Sequence, residues 1–179
     1  MNERVFNREI ERLRDTARVE RLEVQKVIQL TQEEDTFHSV LDVGTGSGLF
    51  AEAFANIGLL VTGIDINEEM LQASAQFVPT GVFQIGSAEK IPYEDKSFDL
   101  LFYGLVMHET DDLEQSMKEA KRVARKRISV LEWKYVDEEF GPPLNHRLQA
   151  EQIFNAAKKA GFIQMKCTTH THLALYIIQ

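Results

Sequence analysis

Three glycines at alternate positions, Gly44, Gly46 and Gly48, form the segment of the chain best suited to bind a ligand. They follow a mostly apolar run, residues 40–43, which is typical of a buried parallel strand, and they precede a stretch that predicts a helix. Because glycine has no Cβ, a ligand can lie directly against the backbone of such a turn at a helix N-terminus. The spacing is G-x-G-x-G, whereas the dinucleotide fingerprint G-x-G-x-x-G would need a glycine in place of Leu49.

Two carboxylates stand at predicted strand ends beside this turn. Asp65 follows Gly44 by about 20 positions and could accept hydrogen bonds from both hydroxyls of a ribose. Asp42 directly precedes the glycines, where it would repel a pyrophosphate but tolerate a ligand that carries positive charge. The alternative roles are structural, since Asp65 could start a helix and Asp42 could accept bonds from nearby backbone amides. With the glycine turn upstream, ribose binding by Asp65 is the favoured interpretation.

Strands and helices alternate in the predicted order of elements. The predicted strands are 37–43, 59–65, 82–85, 98–103, 128–133, 162–168 and 173–178, and the predicted helices are 48–57, one that starts after Asn67, 111–124 and 149–160. The last two strands leave no room for a helix between them, so they must form an antiparallel hairpin. We therefore predict an α/β fold, a Rossmann-like seven-stranded mixed sheet with an antiparallel last strand and helices on both faces.

The N-terminal residues predict helices that precede the sheet. Apolar side chains at Phe6, Ile10, Leu13 and Ala17 share one helix face, and residues 22–30 continue an apolar stripe. Arginines and glutamates on the other face favour a solvated, salt-bridged surface, and the alternative is a lid that folds over the ligand. We expect a single domain over residues 1–179, with 1–34 as an N-terminal helical segment and 35–179 as the α/β core.

Composition excludes several functional classes. A net charge of -8 disfavours non-specific nucleic-acid binding, and a single cysteine, Cys167, can form neither an internal disulfide nor a multi-thiolate metal site. No apolar run reaches the length of a membrane span, and the charged N-terminus does not resemble a signal peptide. We therefore expect a cytoplasmic protein with no nucleic-acid or membrane partner; a homodimer is compatible with the sequence.

A second motif makes the interpretation specific. Residues 86–99, which begin Gly-Ser-Ala-Glu-Lys-Ile-Pro-Tyr and end Ser-Phe-Asp, resemble the run GDAxxLPFxDxSFD of the small-molecule methyltransferases grouped with the ubiquinone/menaquinone C-methyltransferases. This is the type 11 group of class I S-adenosylmethionine-dependent methyltransferases. The glycine turn and the antiparallel last strand also resemble that class. The resemblance spans roughly residues 37–133 and departs at Ser87, usually aspartate, and at 123–127, which replace an LKPGG turn.

The resemblance implies S-adenosyl-L-methionine as the cofactor and methyl transfer to a small-molecule substrate. The implied cofactor-binding residues are Asp42, Gly44, Thr45, Gly46, Gly48, Asp65, Ile66, Met70, Ser87, Ala88, Glu89, Tyr103 and Gly104. The catalytic residues are unknown, with His108 and Glu132 as candidates, because methyl transfer needs alignment of the reactants more than a strong acid or base. No metal site is predicted, since His170 and His172 lack a third ligand nearby.

Two other functions remain open from the sequence. One is a non-catalytic S-adenosylmethionine-binding or interaction module, and the other is a nicotinamide-dependent oxidoreductase. Leu49 and the terminal hairpin disfavour the oxidoreductase. The irregular segment 137–147, which contains Gly141-Pro142-Pro143, is predicted to be either functional or mobile.

Overall fold

The computed structural model describes residues 10–33 and 35–179, and its centre is one seven-stranded sheet. The strands are β1 (Ser39–Val43), β2 (Leu60–Asp65), β3 (Val82–Ile85), β4 (Phe98–Gly104), β5 (Ala124–Trp133), β6 (Met165–Thr169) and β7 (Leu173–Ile178), in the order β3-β2-β1-β4-β5-β7-β6. All neighbours are parallel except the two pairs that involve β7. This arrangement confirms the predicted Rossmann-like mixed sheet and its terminal hairpin.

Helices cover both faces of the sheet. They are α1 (Ile10–Leu13), α2 (Thr16–Arg21), α3 (Val24–Thr31), α4 (Leu49–Asn56), α5 (Glu68–Phe77), α6 (Leu113–Val123) and α7 (Ala150–Lys159). Short 3-10 turns follow β4 at Met107–Glu109 and precede α7 at Leu144–His146. No helix among the described residues is both long enough and apolar enough to cross a membrane.

Strand β4 shows why the sheet has two hydrophobic cores. Its side chains alternate, so that Leu101 and Tyr103 pack with α6 and α7 while Leu100 and Phe102 pack with α3 and α4. A strand that is buried on both faces must be apolar at nearly every position, as the segment Phe98–Gly104 is. The continuous apolar run is therefore the signal of a central strand.

Strands β1 and β4 are parallel neighbours, and the chain adds its later strands on opposite sides of them. From β1 the chain proceeds through β2 to β3 on one side, and from β4 it proceeds to β5 on the other. The loops that leave the carboxyl ends of β1 and β4 consequently diverge and open a crevice, which is where ligands bind in sheets of this kind. The glycine turn after β1 and residues 105–109 after β4 both lie at this crevice.

Several predicted boundaries are corrected by the structure. Strand β1 begins at Ser39 and β6 at Met165, later than predicted, because Phe37 and Phe162 are buried in the core from the preceding connections. The largest difference is at β5, which begins at Ala124 directly after the last residue of α6. The charged segment 123–127, predicted as a turn, is thus mostly strand, with a register shift opposite Phe98 and Leu100.

The N-terminal segment also differs from its prediction. From residue 10 onward the described part of this segment forms three short helices, and Ala17 is exposed on α2 and so does not share a buried face with Leu13. Phe6 lies outside the described residues. The second stripe is confirmed, because Leu22, Val27 and Ile28 are buried against α4 and the sheet.

Arg127 holds this N-terminal segment to the start of β5. Its buried guanidinium donates to the carbonyls of Thr31 and Glu33 at 2.8 and 2.7 Å and pairs with Asp35 at 2.8 Å. These partners are more than 90 residues away in sequence. Replacing the side chain would leave buried acceptors without donors, a loss that costs more than a missing contact.

We expect Arg127→Met to destabilise the protein by about 2 kcal/mol, because it leaves the carbonyls of Thr31 and Glu33 without their donor. The control is Lys126→Met, which removes the same charge one residue earlier from an exposed side chain and should cost less than about 1 kcal/mol. Urea unfolding of the three proteins measures the difference. Equal losses in the two variants would show that Arg127 does not anchor the segment.

Candidate functional site

The turn after β1 has a conformation that requires glycine where it meets the β4 loop. Gly44 has a φ of +68°, and a Cβ on it would lie 2.4 Å from Val106 Cγ2. Gly46, with a φ of +54°, is different, because the nearest atom to a Cβ there would be Leu13 Cδ1 at 4.0 Å. Gly44 must therefore be glycine so that the two loops can pack, whereas a side chain at Gly46 would meet only Leu13, at ordinary van der Waals distance.

Asp42 is a buried carboxylate at the end of β1. Its Oδ2 accepts a 2.8 Å hydrogen bond from the Thr45 hydroxyl, and no lysine or arginine of the described residues forms an ion pair with it. Burial raises the pKa of Asp42 to about 7; the hydrogen bond from Thr45 opposes the shift, and the charge of Asp65 adds to it. A buried carboxylate of this kind would be stabilised by a positively charged ligand group.

Asp65 closes the turn from the neighbouring strand. Its Oδ2 accepts from the Gly46 N–H and its Oδ1 from the Asn67 N–H, both at 2.9 Å. Burial raises the pKa of Asp65, and these backbone hydrogen bonds oppose the shift. Each oxygen keeps a further lone pair, so the carboxylate can still accept from two ligand hydroxyls. Asn67 caps α5 as expected, since its side chain accepts from the Glu69 N–H.

Apolar side chains flank the ends of β2 and β3. Ile66 and Ile85 are 57% and 55% exposed, which is unusual for isoleucine at two adjacent strand ends. Ile85 is the register partner of Asp65 and Ile66 is the next residue along the chain, so both lie close to that carboxylate. After β3, Ser87 forms an isolated bridge with Lys90, and Ala88 is buried.

Other residues that are predicted to bind the cofactor are buried in the core or already accept a hydrogen bond from the protein itself. Glu89 accepts from the Asp111 N–H at 2.9 Å, which ties it to the start of α6. Met70 and Tyr103 are buried, and the hydroxyl of Tyr103 has no hydrogen-bond partner among the described residues. Gly104 ends β4, where a Cβ would approach the rings of Phe102 and Phe50 at 2.9 Å. The predicted contacts of Met70, Glu89 and Tyr103 with a cofactor stay predictions.

The loop after β4 begins with a strained residue. Leu105 has a φ of +63°, an unfavourable left-handed conformation for a branched side chain, and its N–H donates to Leu131 at 2.9 Å. This strain turns the chain toward β5, so that His108 meets Glu132 near the end of that strand. His108 Nδ1 lies 2.8 Å from Glu132 Oε2, and both side chains are buried. Local strain of this kind is concentrated at functional sites.

The N-terminal segment contacts the glycine turn, whereas a solvated surface is the arrangement that its charge pattern favours and a lid only the alternative. Leu13 is buried above Gly46, and Arg14 Nη1 donates to the Ser47 carbonyl at 2.9 Å. The same guanidinium pairs with Glu52 on α4 and lies 3.5 Å from the centre of the Phe77 ring. Arg14 carries no signal in the sequence, because its partners lie in the glycine turn, on α4 and on α5.

Arg147 organises the loop between β5 and α7. Its buried guanidinium donates to the carbonyls of Lys134, Val136, Phe140 and Pro142. The loop also packs on the end of β5, since a Cβ on Gly141 would lie 2.6 Å from the Trp133 ring. The segment that was predicted to be functional or mobile is therefore a wall with a fixed internal framework at the carboxyl end of the sheet.

The two histidines of the terminal hairpin face different carboxylates. His170 Nδ1 lies 3.4 Å from Glu23 Oε2, and His172 Nδ1 lies 3.2 Å from Glu138 Oε2. Within residues 10–33 and 35–179, no group of three or more His, Cys, Asp or Glu side chains is arranged to hold a metal ion.

Comparison with known proteins gives a consistent result. The methyltransferase domain family matches residues 41–128. A demethylmenaquinone methyltransferase of Chlorobaculum tepidum is 41% identical over 87 residues, which are 48% of this chain and 36% of that protein. An uncharacterized methyltransferase of Bacillus subtilis is 32% identical over 129 residues, which are 69% of this chain and 51% of that protein.

A solved structure supports the fold. The crystal structure of a SAM-dependent methyltransferase from Aquifex aeolicus superimposes with a TM-score of 0.81 at 23% identity and covers 94% of this chain and 95% of that chain. The chain spans about half or less of the length of the curated relatives above. The matched segment contains the glycine turn, Asp65 and the loop after β4, so motif, fold and relatives agree. Through residues 41–128 the chain belongs to the methyltransferase domain family, in the type 11 group of class I S-adenosylmethionine-dependent methyltransferases.

Proposed function

We propose that this protein transfers a methyl group from S-adenosyl-L-methionine to a small-molecule acceptor. The observation that carries the proposal is the pair of carboxylates, Asp42 and Asp65, that flanks the glycine turn. Two carboxylates at this position oppose a pyrophosphate, and a ligand with ammonium and sulfonium groups would favour the charged form of both. A nicotinamide dinucleotide would lack those positive charges beside Asp42.

The residues of the site fit the parts of this cofactor. Asp65 would accept from the ribose hydroxyls, the exposed side chains of Ile66 and Ile85 would contact the adenine, and Asp42 would attract the amino group of the cofactor across the turn. When bound, the sulfonium supplies an activated methyl group for in-line displacement. The protein then has to align the acceptor and exclude water, and the N-terminal helices and the Arg147 loop are placed to do both.

The names of the relatives support a small-molecule acceptor. They include demethylmenaquinone methyltransferase and malonyl-[acyl-carrier protein] O-methyltransferase. Demethylmenaquinone and the malonyl group on acyl-carrier protein are therefore the first acceptors to test with methyl-labelled S-adenosylmethionine.

Isothermal titration with S-adenosylhomocysteine, with NAD as the control ligand, tests the cofactor. We expect micromolar binding of S-adenosylhomocysteine and no binding of NAD. Binding of NAD alone would replace the proposal with an oxidoreductase. Binding of S-adenosylhomocysteine without methylation of any acceptor would favour a non-catalytic binding module.

Asp65→Ala should weaken S-adenosylhomocysteine binding about tenfold or more, because hydrogen bonds to a charged group contribute about 1.5–3 kcal/mol. The control is Asp95→Ala, which removes a carboxylate that is 76% exposed and paired with Arg122 at the surface. Thermal melting separates a damaged fold from a damaged site. Unchanged affinity in a folded Asp65→Ala protein would refute the ribose assignment.

Binding should also depend on pH through Asp42. Because its pKa is about 7 in the free protein, the carboxylate is charged above that value and becomes neutral as the pH falls. Affinity for S-adenosylhomocysteine, whose amino group stays protonated, should therefore fall by up to about tenfold per pH unit from about pH 7 downward. Titrations between about pH 8 and pH 6 measure the slope. In Asp42→Asn the slope should be absent; an equal slope in both proteins would show that another group titrates.

A further inference from the structure

Residues 13–23 cross the carboxyl end of the sheet, and we call this segment the N-terminal strap. Arg14 donates to a carbonyl of the glycine turn after β1 at 2.9 Å. Arg21 lies over an aromatic ring of the loop after β5. Glu23 accepts from the Thr171 N–H at 3.3 Å, in the turn between β6 and β7. Because β4 lies between β1 and β5 in the sheet, the strap also passes the loop after β4.

Arg18 and Arg21 lie on the inner side of α2. Both are half-buried, and at three residues apart they are neighbours on one side of the helix, whereas Ala17 and Glu20 are exposed. Helix α2 contributes no buried residue of its own, although the residues that flank it on the strap include buried leucines. The helix can therefore shift to admit a ligand without exposing either hydrophobic core.

Arg18 is placed at the loop after β4. It lies along the strap between the contact with the glycine turn and the contact with the loop after β5, and the charge of Glu109 in the loop after β4 acts on it. Glu109 Oε1 is in turn 3.8 Å from His108 Nε2. Burial and the charge of Arg21 lower the pKa of Arg18, and Glu109 opposes the shift. An additional anion would therefore stabilise the charged form of this guanidinium.

Arg21 is held by an aromatic ring. Its guanidinium carbon lies 3.6 Å from the centre of the Phe140 ring. The Phe140 carbonyl accepts from Arg147, so the ring belongs to the ordered loop after β5. Within residues 10–33 and 35–179, no carboxylate forms an ion pair with Arg21. The N–H donors of a guanidinium lie in its plane, so they can bind a carboxylate or phosphate in bidentate fashion while the ring covers one face.

The arginines and the carboxylates of the glycine turn lie on different sides of the crevice. Asp42 and Asp65 stand at the ends of β1 and β2, whereas Arg18 and Arg21 lie at the loops after β4 and β5. The strand order β2-β1-β4-β5 keeps the two pairs apart. Since the proposed cofactor brings positive charge to the carboxylates, the arginines suit a second molecule that carries negative charge.

We propose that Arg18 and Arg21 bind an anionic group of the methyl acceptor, a carboxylate or a phosphate, over the carboxyl ends of β4 and β5. The proposal rests on the methyltransferase function above and narrows the acceptor to molecules that carry such a group. Arg18 supplies a charge in a largely desolvated position, and Arg21 supplies a planar donor group held against Phe140. The bound anion relieves the repulsion between the two cations, so acceptor binding also holds α2 over the reactants.

Small anions test the site without any reaction. Benzoate and phenyl phosphate are titrated into the nitrogen-labelled protein saturated with S-adenosylhomocysteine, with benzamide and phenol as neutral counterparts. The arginine Nε–Hε resonances are followed, and Arg18→Gln and Arg21→Gln assign the two that matter. We expect both resonances to shift with an anion and not with its neutral counterpart. The tighter of the two anions distinguishes a carboxylate acceptor from a phosphate acceptor.

The affinity of the tighter anion should fall about tenfold or more in Arg18→Gln and in Arg21→Gln, because each change removes charge-assisted hydrogen bonds. The matched control is Arg12→Gln, which removes an exposed charge from α1 and should leave the affinity within about twofold of the parent. Thermal melting shows whether each variant folds, and two separate variants keep the test decisive if one does not.

The two acceptors named above provide the second test. Malonyl-acyl-carrier protein presents a carboxylate, whereas reduced demethylmenaquinone has hydroxyls and neither a carboxylate nor a phosphate. We expect the malonyl acceptor to be methylated at least about tenfold faster, as the loss of a charged hydrogen bond implies. Arg18→Gln should raise the KM for this acceptor more than it lowers kcat, and Arg12→Gln should change neither.

The outcomes separate this proposal from the one on which it rests. If S-adenosylhomocysteine binds but neither anion shifts the arginine resonances, or if all variants bind the anions equally, the anion site is wrong and the cofactor site stands. Methylation of demethylmenaquinone as fast as that of the malonyl acceptor would show that no anionic group is required. If S-adenosylhomocysteine does not bind, the methyltransferase function fails, and titration of the free protein still decides whether the arginines form a site.

Discussion

The close approach of Gly44 to Val106 is the constraint on which the site depends. It joins the loop after β1 to the loop after β4, at the point where the two halves of the sheet diverge. Any side chain at position 44 would force these loops apart. With the loops in contact, Asp42 stays buried and bonded to the Thr45 hydroxyl within the turn. The electrostatics of the site therefore follow from a steric requirement in the backbone.

Two arginines near the site, Arg14 and Arg147, leave its carboxylates without a neutralising charge, because both are bonded elsewhere. Arg14 is engaged by the Ser47 carbonyl and Glu52, on the outer side of the glycine turn, while Arg147 is engaged by backbone carbonyls. Neither forms an ion pair with Asp42 or Asp65. In a protein with a net charge of -8, the crevice thus keeps a local negative potential that favours a cationic ligand.

The sheet was predictable because its signals are local. The apolar run of β4 and the missing helix between the last two strands each follow from neighbouring residues. Asp65 and the glycine turn were predictable for the same reason, since strand, turn and carboxylate lie in one unit. Arg127 and Arg147 were not, because their acceptors are backbone carbonyls that only the folded chain assembles. The early start of β5 was missed because charged residues 125–127 carry no strand periodicity.

The ordered loop around Arg147 affects the entropy of acceptor binding and therefore the basis of its selectivity. Residues 134–147 are ordered by bonds within the folded chain, so their conformational freedom is lost when the protein folds and not when a molecule arrives. A rigid wall of this kind adds little ordering cost to binding, and selectivity then rests on shape and desolvation. Variation among related chains would accordingly be expected in the side chains that face outward from this loop, around an arginine that stays fixed.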